Sequence, residues 1–163
     1  MLTGRERHVA RARAGQLPYP QRAIRSKEFL YIINYKPDRY PLGDHYGLDG
    51  KNEPDLNKLT NNTFITIPDE DAGPTKAWIV TNRKNPKFKF FFDHAYGKRP
   101  KEELYDLSKD PHQMNNVSNK KEYKETVIKL RNQLTSLLEK TNDPRLIEGG
   151  AFFEKPPMAG PLK

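Results

Sequence analysis

The chain has 163 residues, with 29 Lys and Arg against 21 Asp and Glu, 14 Pro, 10 Gly and no Cys. That length is one domain's worth or slightly more, and the absence of cysteine excludes disulfides, thiol catalysis and cysteine-based zinc sites. A mean hydropathy of −0.95 and an apolar fraction of 34% supply modest means for a core, which suits long solvated loops or a subdomain leaning on a larger partner.

The positive charge is gathered at one end. Arg5, Arg7, Arg11, Arg13, Arg22, Arg25 and Lys27 lie within residues 1–27 beside a single acid, Glu6. Such a concentration attracts polyanions (nucleic acid, anionic lipid or sulfated polysaccharide) unless it is simply a solvated face. No run reaches the ~20 apolar residues of a membrane span, so no membrane partner is expected. No apolar segment of a secretory signal follows Met1, which taken literally keeps the chain in the cytoplasm.

Residues 1–18, basic and weakly periodic, read as an arm or loop. Gln21–Arg25 is a short strand candidate, Ser26-Lys27-Glu28 a turn, and Phe29–Tyr35 the strongest strand, aromatic and β-branched on both faces. Together they predict an antiparallel hairpin whose second strand is covered on both sides. From Lys36 to Gly73 the sequence is rich in Pro, Asp, Asn and Gly, a long irregular stretch of the kind more often functional than idle. Pro74–Asn82 opens a short helix with Pro in its first turn, and the aromatic run Phe88–Tyr96 fits helix or strand, with helix preferred. Glu102–Leu107 is a further strand, stopped by Ser108-Lys109-Asp110-Pro111.

Tyr123, Val127, Leu130, Leu134 and Leu137 recur at spacings of four, three, four and three, one apolar stripe at helical period. Asn119 and Glu122 fit a capping box, and Asn142-Asp143-Pro144 a stop. The rod is ~30 Å long and requires a sheet to lie on. Residues 146–163, with Phe152, Phe153, Pro156 and Pro157, are expected to be extended or disordered. The fold class is α+β: a small antiparallel sheet packed against one long C-terminal helix, with long irregular loops.

Few chemical motifs are present. There is no Gly-x-Ser-x-Gly, no phosphate-cradling glycine loop and no helical pair of histidines among His8, His45, His94 and His112. Asp69-Glu70-Asp71 could touch calcium but reads better as a polar loop. Asn61-Asn62-Thr63 and Asn116-Val117-Ser118 match the glycosylation acceptor, at a frequency that chance supplies in so Asn-rich a chain.

A string of phrases does carry a resemblance. Gly4-Arg5-Glu6-Arg7-His8, Tyr19-Pro20-Gln21-Arg22-Ala23-Ile24-Arg25-Ser26, the run Phe29 to Pro41, Asp71-Ala72-Gly73-Pro74-Thr75-Lys76, Gly97-Lys98-Arg99-Pro100, Glu103 to Pro111, Asn115-Asn116-Val117 and Asp143-Pro144-Arg145 occur in order. They resemble the closing segment of the formylglycine-dependent sulfatases, nearest the heparan N-sulfatase (N-sulfoglucosamine sulfohydrolase) branch, across residues 2–145. The resemblance implies a C-terminal subdomain at 19–145, docked beside a catalytic α/β domain. It implies a periplasmic, secreted or lysosomal parent. It also implies that Arg5, Glu6, Arg7 and His8 reach a sulfated glycan substrate. The arginines would bind sulfate or carboxylate bidentately. Glu6 would accept from sugar hydroxyls or the glucosamine nitrogen, or else pair with an arginine and order the loop.

The family's nucleophile comes from a Cys/Ser-x-Pro-x-Arg motif, and its calcium is held by acids that precede this region. Ser26, Ser108, Ser118 and Ser136 all lack Pro two residues later. Hydrolysis needs both nucleophile and metal, so the resemblance implies that this chain alone has no catalytic residue or metal ligand and does not turn over. A non-catalytic module binding sulfated polysaccharide through the basic arm is the first rival. A nucleic-acid-binding protein is the second and weaker one, because the aromatics sit in apolar runs rather than beside the arginines.

Overall fold

The computed structural model describes residues 1–51 and 53–155. In chain order the elements are β1 (Leu2–Arg5), β2 (Gln21–Arg25), β3 (Phe29–Asn34), α1 (Leu56–Asn61), α2 (Pro74–Thr81), α3 (Lys89–Tyr96), β4 (Glu102–Asp106), α4 (Lys124–Lys140) and α5 (Ala151–Glu154), with short 3-10 turns between them. They fall into two compact units. One holds Met1–Glu6, Pro18–Lys36 and Pro100–Lys155, and the other holds Arg7–Leu17 and Pro37–Arg99. The class is α+β, as expected.

In the first unit the four strands form one antiparallel sheet in the order β1-β2-β3-β4. The hairpin of β2 and β3 pairs Gln21 with Asn34 and Arg25 with Leu30. Its turn is tied by Ser26, whose Oγ accepts from the amides of Glu28 and Phe29 at 3.2 and 2.9 Å. Alternation along β3 sends Phe29, Tyr31 and Ile33 to one face, where they meet α4. Val127, Leu130, Leu134 and Leu138 are the buried residues of α4. Each fully buried side chain of this kind stabilises the packing by ~1.5–3 kcal/mol, and Arg131 of α4 adds a bidentate tie to Glu102 of β4.

Four expectations need correction here. Residues 2–5 are not part of an arm: they pair with β2, Leu2 opposite Ile24 and Arg5 opposite Gln21, as an edge strand. The capping box does not form, because a 3-10 turn at Lys121–Tyr123 precedes α4 and Tyr123, not Asn119, occupies its N-cap. The stripe turns out to bury Leu138 more deeply than Leu137, which stays half-buried. After α4, residues 144–154 are coiled rather than extended. Pro144–Gly150 forms 3-10 turns, and α5 follows. The remainder of the expected tail, residues 156–163, lies outside the described residues.

The second unit has little regular structure and its own core of Leu59, Ile67, Ala77, Val80 and Tyr96. The irregular stretch contains one unexpected helix, α1, capped by Asp55, whose side chain accepts from Lys58 N at 3.1 Å. α2 begins at Pro74 and α3 spans the aromatic run, both where the sequence put helices. Lys76, although 1% exposed, donates its three ammonium hydrogens to the carbonyls of Thr63, Ile67 and Glu70 at 3.0, 3.1 and 2.7 Å. Burial lowers its pKa, the nearby Glu70 and Asp71 charges opposing that. The lysine thus fixes a turn in which Ile67 holds φ 47, a conformation costly for a β-branched residue.

Candidate functional site

Arg5 and Glu6 belong to the sheet unit, whereas Arg7 and His8 belong to the other. In the sheet unit Glu6 is the hub of an ion network. Arg145 grips both of its oxygens, Nε reaching Oε1 at 3.1 Å and Nη2 bonding Oε2. Arg22 reaches Oε1 at 2.9 Å, and also bonds both oxygens of Asp143, at 2.7 and 2.8 Å. Arg145 is completed by Glu154 at 3.0 Å, by the carbonyl of Gly149 at 3.3 Å, and by the ring of Phe153 beneath the guanidinium. Of the two offices the sequence allowed Glu6, the observed contacts are those of an arginine partner.

Local backbone makes room for the network. A Cβ on Gly150, which sits at φ +78, would come within 2.4 Å of the Arg145 guanidinium, and one on Gly4 within 2.8 Å of the Arg22 side chain. Coiling of residues 144–154 follows from this. The chain must turn back to bring Gly149 O and Glu154 onto Arg145, and the left-handed residues Gly149 and Gly150 allow it. Burial works against the charge on both arginines, yet their carboxylate partners raise both pKa values above the ordinary one. The Arg22 hydrogen bond holds Asp143 below the usual carboxylate range. Beside this network lies a cleft of about 310 Å³, lined by Gly4, Arg5, Glu6, Arg22 and Asp143.

In the second unit His8 is exposed, with 74% of its side chain open to solvent, while its partner Asp69 is 1% exposed. Nδ1 lies 2.8 Å from Asp69 Oδ1. An ionised carboxylate can only accept, so Nδ1 carries the hydrogen and Nε2 is turned outward. This is the orientation of a base held by an acid. Within the acidic run, Asp69 is paired with His8 through Oδ1, and the Glu70 backbone carbonyl accepts from the Lys76 ammonium. Among the described residues no three of His, Asp and Glu gather as a metal site.

The N-terminal charge is less available than its sequence suggests. Arg13 is 4% exposed, donating to the carbonyls of Tyr40 and Pro41 at 2.8 and 2.6 Å. Arg22 is 6% exposed. Nothing in the sequence around either residue marks it as buried, and the same holds for Arg145. The Asp69 partner of His8 was equally hidden, 61 positions away. Asn116, one of the two glycosylation matches, uses its side chain on the backbone of Leu104, Glu102 and Ser118.

No family model matches the sequence. A curated protein from Formosa agariphila, an ulvan-active sulfatase, is 28% identical over 127 residues, which is 75% of this chain and 17% of that protein. The chain is related to a segment of a sulfatase. It spans about a sixth of the relative's length.

Proposed function

We propose that this chain is the closing portion of a sulfatase acting on sulfated glycans, completing the fold and the substrate cleft while the nucleophile and calcium ligands are supplied by a catalytic α/β domain. The reading rests first on the sulfatase similarity. The single structural observation that carries it is the His8–Asp69 pair: an exposed imidazole fixed by a buried carboxylate 61 positions away. Orienting a solvent-facing side chain in this way costs a buried acid, and a surface loop gains little stability from it. Arg5, Arg7 and His8 are the residues assigned to substrate sulfate or carboxylate groups. Glu6 acts on substrate only by holding its neighbours in place.

Within the sulfatases we assign the chain nearest the N-sulfoglucosamine branch, on the phrases from Gly4-Arg5-Glu6-Arg7-His8 onward. Sulfated oligosaccharides lacking either the N-sulfate or the O-sulfates, titrated into the purified chain by calorimetry, test this. Removal of N-sulfate is expected to abolish most of the affinity, and Arg7→Ala and His8→Ala each to weaken it. The chain with added calcium is expected to release no sulfate. Equal affinity for desulfated sugar, or turnover by the chain alone, would overturn the reading. Reading the frame around this segment for Cys/Ser-x-Pro-x-Arg checks for the catalytic half.

A further inference from the structure

A second basic feature lies in the sheet unit, far along the sequence from the Arg5–His8 phrase. The start of β4, the turn at residues 118–121 and the first turns of α4 enclose a groove of about 460 Å³, a size typical of small-ligand sites. Lys101, Lys120, Lys121 and Lys124 line it, and all four are exposed. Among the described residues none of these ammonium groups bonds a carboxylate. The groove's one acid, Glu102, is already engaged: Arg131 bonds both its oxygens at 2.6 and 2.7 Å, and Tyr31 donates to it as well. Glu102 accordingly lies below the usual carboxylate range. The floor is apolar, formed by Val127 and by Ile128, which is 42% exposed.

This arrangement costs stability. Lys120, Lys121 and Lys124 crowd the N-terminus of a 17-residue helix, where the helix dipole favours anions and disfavours cations, with Glu122 and Glu125 as the acids of the same turns. Natural sequences tolerate such local conflicts mainly where a function requires them. We propose that this groove is a binding site for a segment of sulfated polysaccharide, distinct from the Arg5–His8 phrase. Sulfates would pair with the lysines and the apolar face of a sugar ring would lie on Val127 and Ile128. A polyanion follows from the charge alone. The choice of a sulfated glycan over nucleic acid rests on the proposed function, together with the absence of any aromatic ring in the lining on which a base could stack.

The test uses the whole 163-residue chain and heparin oligosaccharides as the probe, with desulfated heparin and duplex DNA as the other arms. Amide shifts on titration are expected at residues 119–128. The variant Lys121→Gln/Lys124→Gln is expected to bind heparin roughly tenfold more weakly, as two screened ion pairs should. It should melt no lower than the parent, because the helix N-terminus has shed unfavourable cations. Arg7→Ala/His8→Ala should leave the groove shifts intact. If heparin binding is lost in Arg7→Ala/His8→Ala but unchanged in Lys121→Gln/Lys124→Gln, the groove is overturned and the proposed function stands. If the groove variant alone loses binding, the groove stands and the role given to Arg7 and His8 falls. Tighter binding of duplex DNA than of heparin at matched salt would overturn the groove's assignment to sulfated sugar. A lower melting temperature in the lysine variant, with unchanged affinity, would make the lysines structural and overturn it too.

Discussion

The two units solve the same problem by different means. In the sheet unit the backbone of β2 and β3 is paired by strands on both sides and that of β1 and β4 on one, and the apolar stripe of α4 covers one face. In the second unit the backbone from residue 37 to 73 has few such partners, and buried cations take their place. Lys76 collects three carbonyls and Arg13 collects those of Tyr40, Pro41 and Leu17. Buried carbonyls must be paired with something, and where strands cannot supply amides, a cation with several donors can. Irregular structure of this kind is therefore specified by single residues, whereas the sheet is specified by a pattern.

Mutations can break that contrast, and the largest effect is expected where the sheet unit departs from it. Arg145→Met should destabilise the protein by ~3–5 kcal/mol, because it leaves Glu6 and Glu154 short of a buried partner. Urea unfolding would measure this, with amide exchange at β1 and β2 as the local reporter. A loss below ~1 kcal/mol would mean the network is decorative. Leu134→Ala, at the centre of the α4 stripe, should cost ~3 kcal/mol by removing a fully buried side chain and leaving a cavity. Lys76→Met is the matching test in the second unit. It should cost ~2–3 kcal/mol by orphaning carbonyls, with faster exchange at residues 63–77 than at β2–β4.

The smallest expected effect concerns pH. Arg22 holds Asp143 below its ordinary pKa, against the opposing effect of burial. The stability this contributes is present above the unfolded value of ~3.9 and is lost as pH falls through the folded one. Parent and Asp143→Asn should therefore differ most near neutrality and converge below about pH 4 in acid-unfolding curves. A constant difference down to pH 2 would mean that the Arg22–Asp143 bond is not the cause.

Much of the regular structure was legible in the sequence. The hairpin at 21–34, the strand ending at Asp106, α2, α3 and α4 all lie close to where periodicity and turn residues put them. β1 was not legible, since Leu2-Thr3-Gly4-Arg5 is too short and too poor in β-branched residues to signal a strand without its partner. α1 had a signal in Asp55, three residues before Lys58, but a setting of Asn and Pro masked it. For the candidate site, the sequence drew attention to Arg5, Glu6, Arg7 and His8 without assigning their partners. Asp69, Arg22 and Arg145 lie 61, 16 and 139 positions from the groups they engage, beyond the reach of any local pattern.

By itself the sequence determined most of the strands and helices, though neither β1 nor α1, because alternation and the 3.6-residue period record the side each residue must bury. It also determined that no formylglycine motif is carried here, since that depends only on which residues follow one another. Tertiary structure alone decided which charges are spent inside and which remain to meet a ligand. Glu6, Arg13, Arg22 and Arg145 are consumed, while His8 and the lysines at the head of α4 face outward. The reason is that burial and ion pairing are set by neighbours in space, and a charged side chain reads the same in sequence whether it ends among carboxylates or in water.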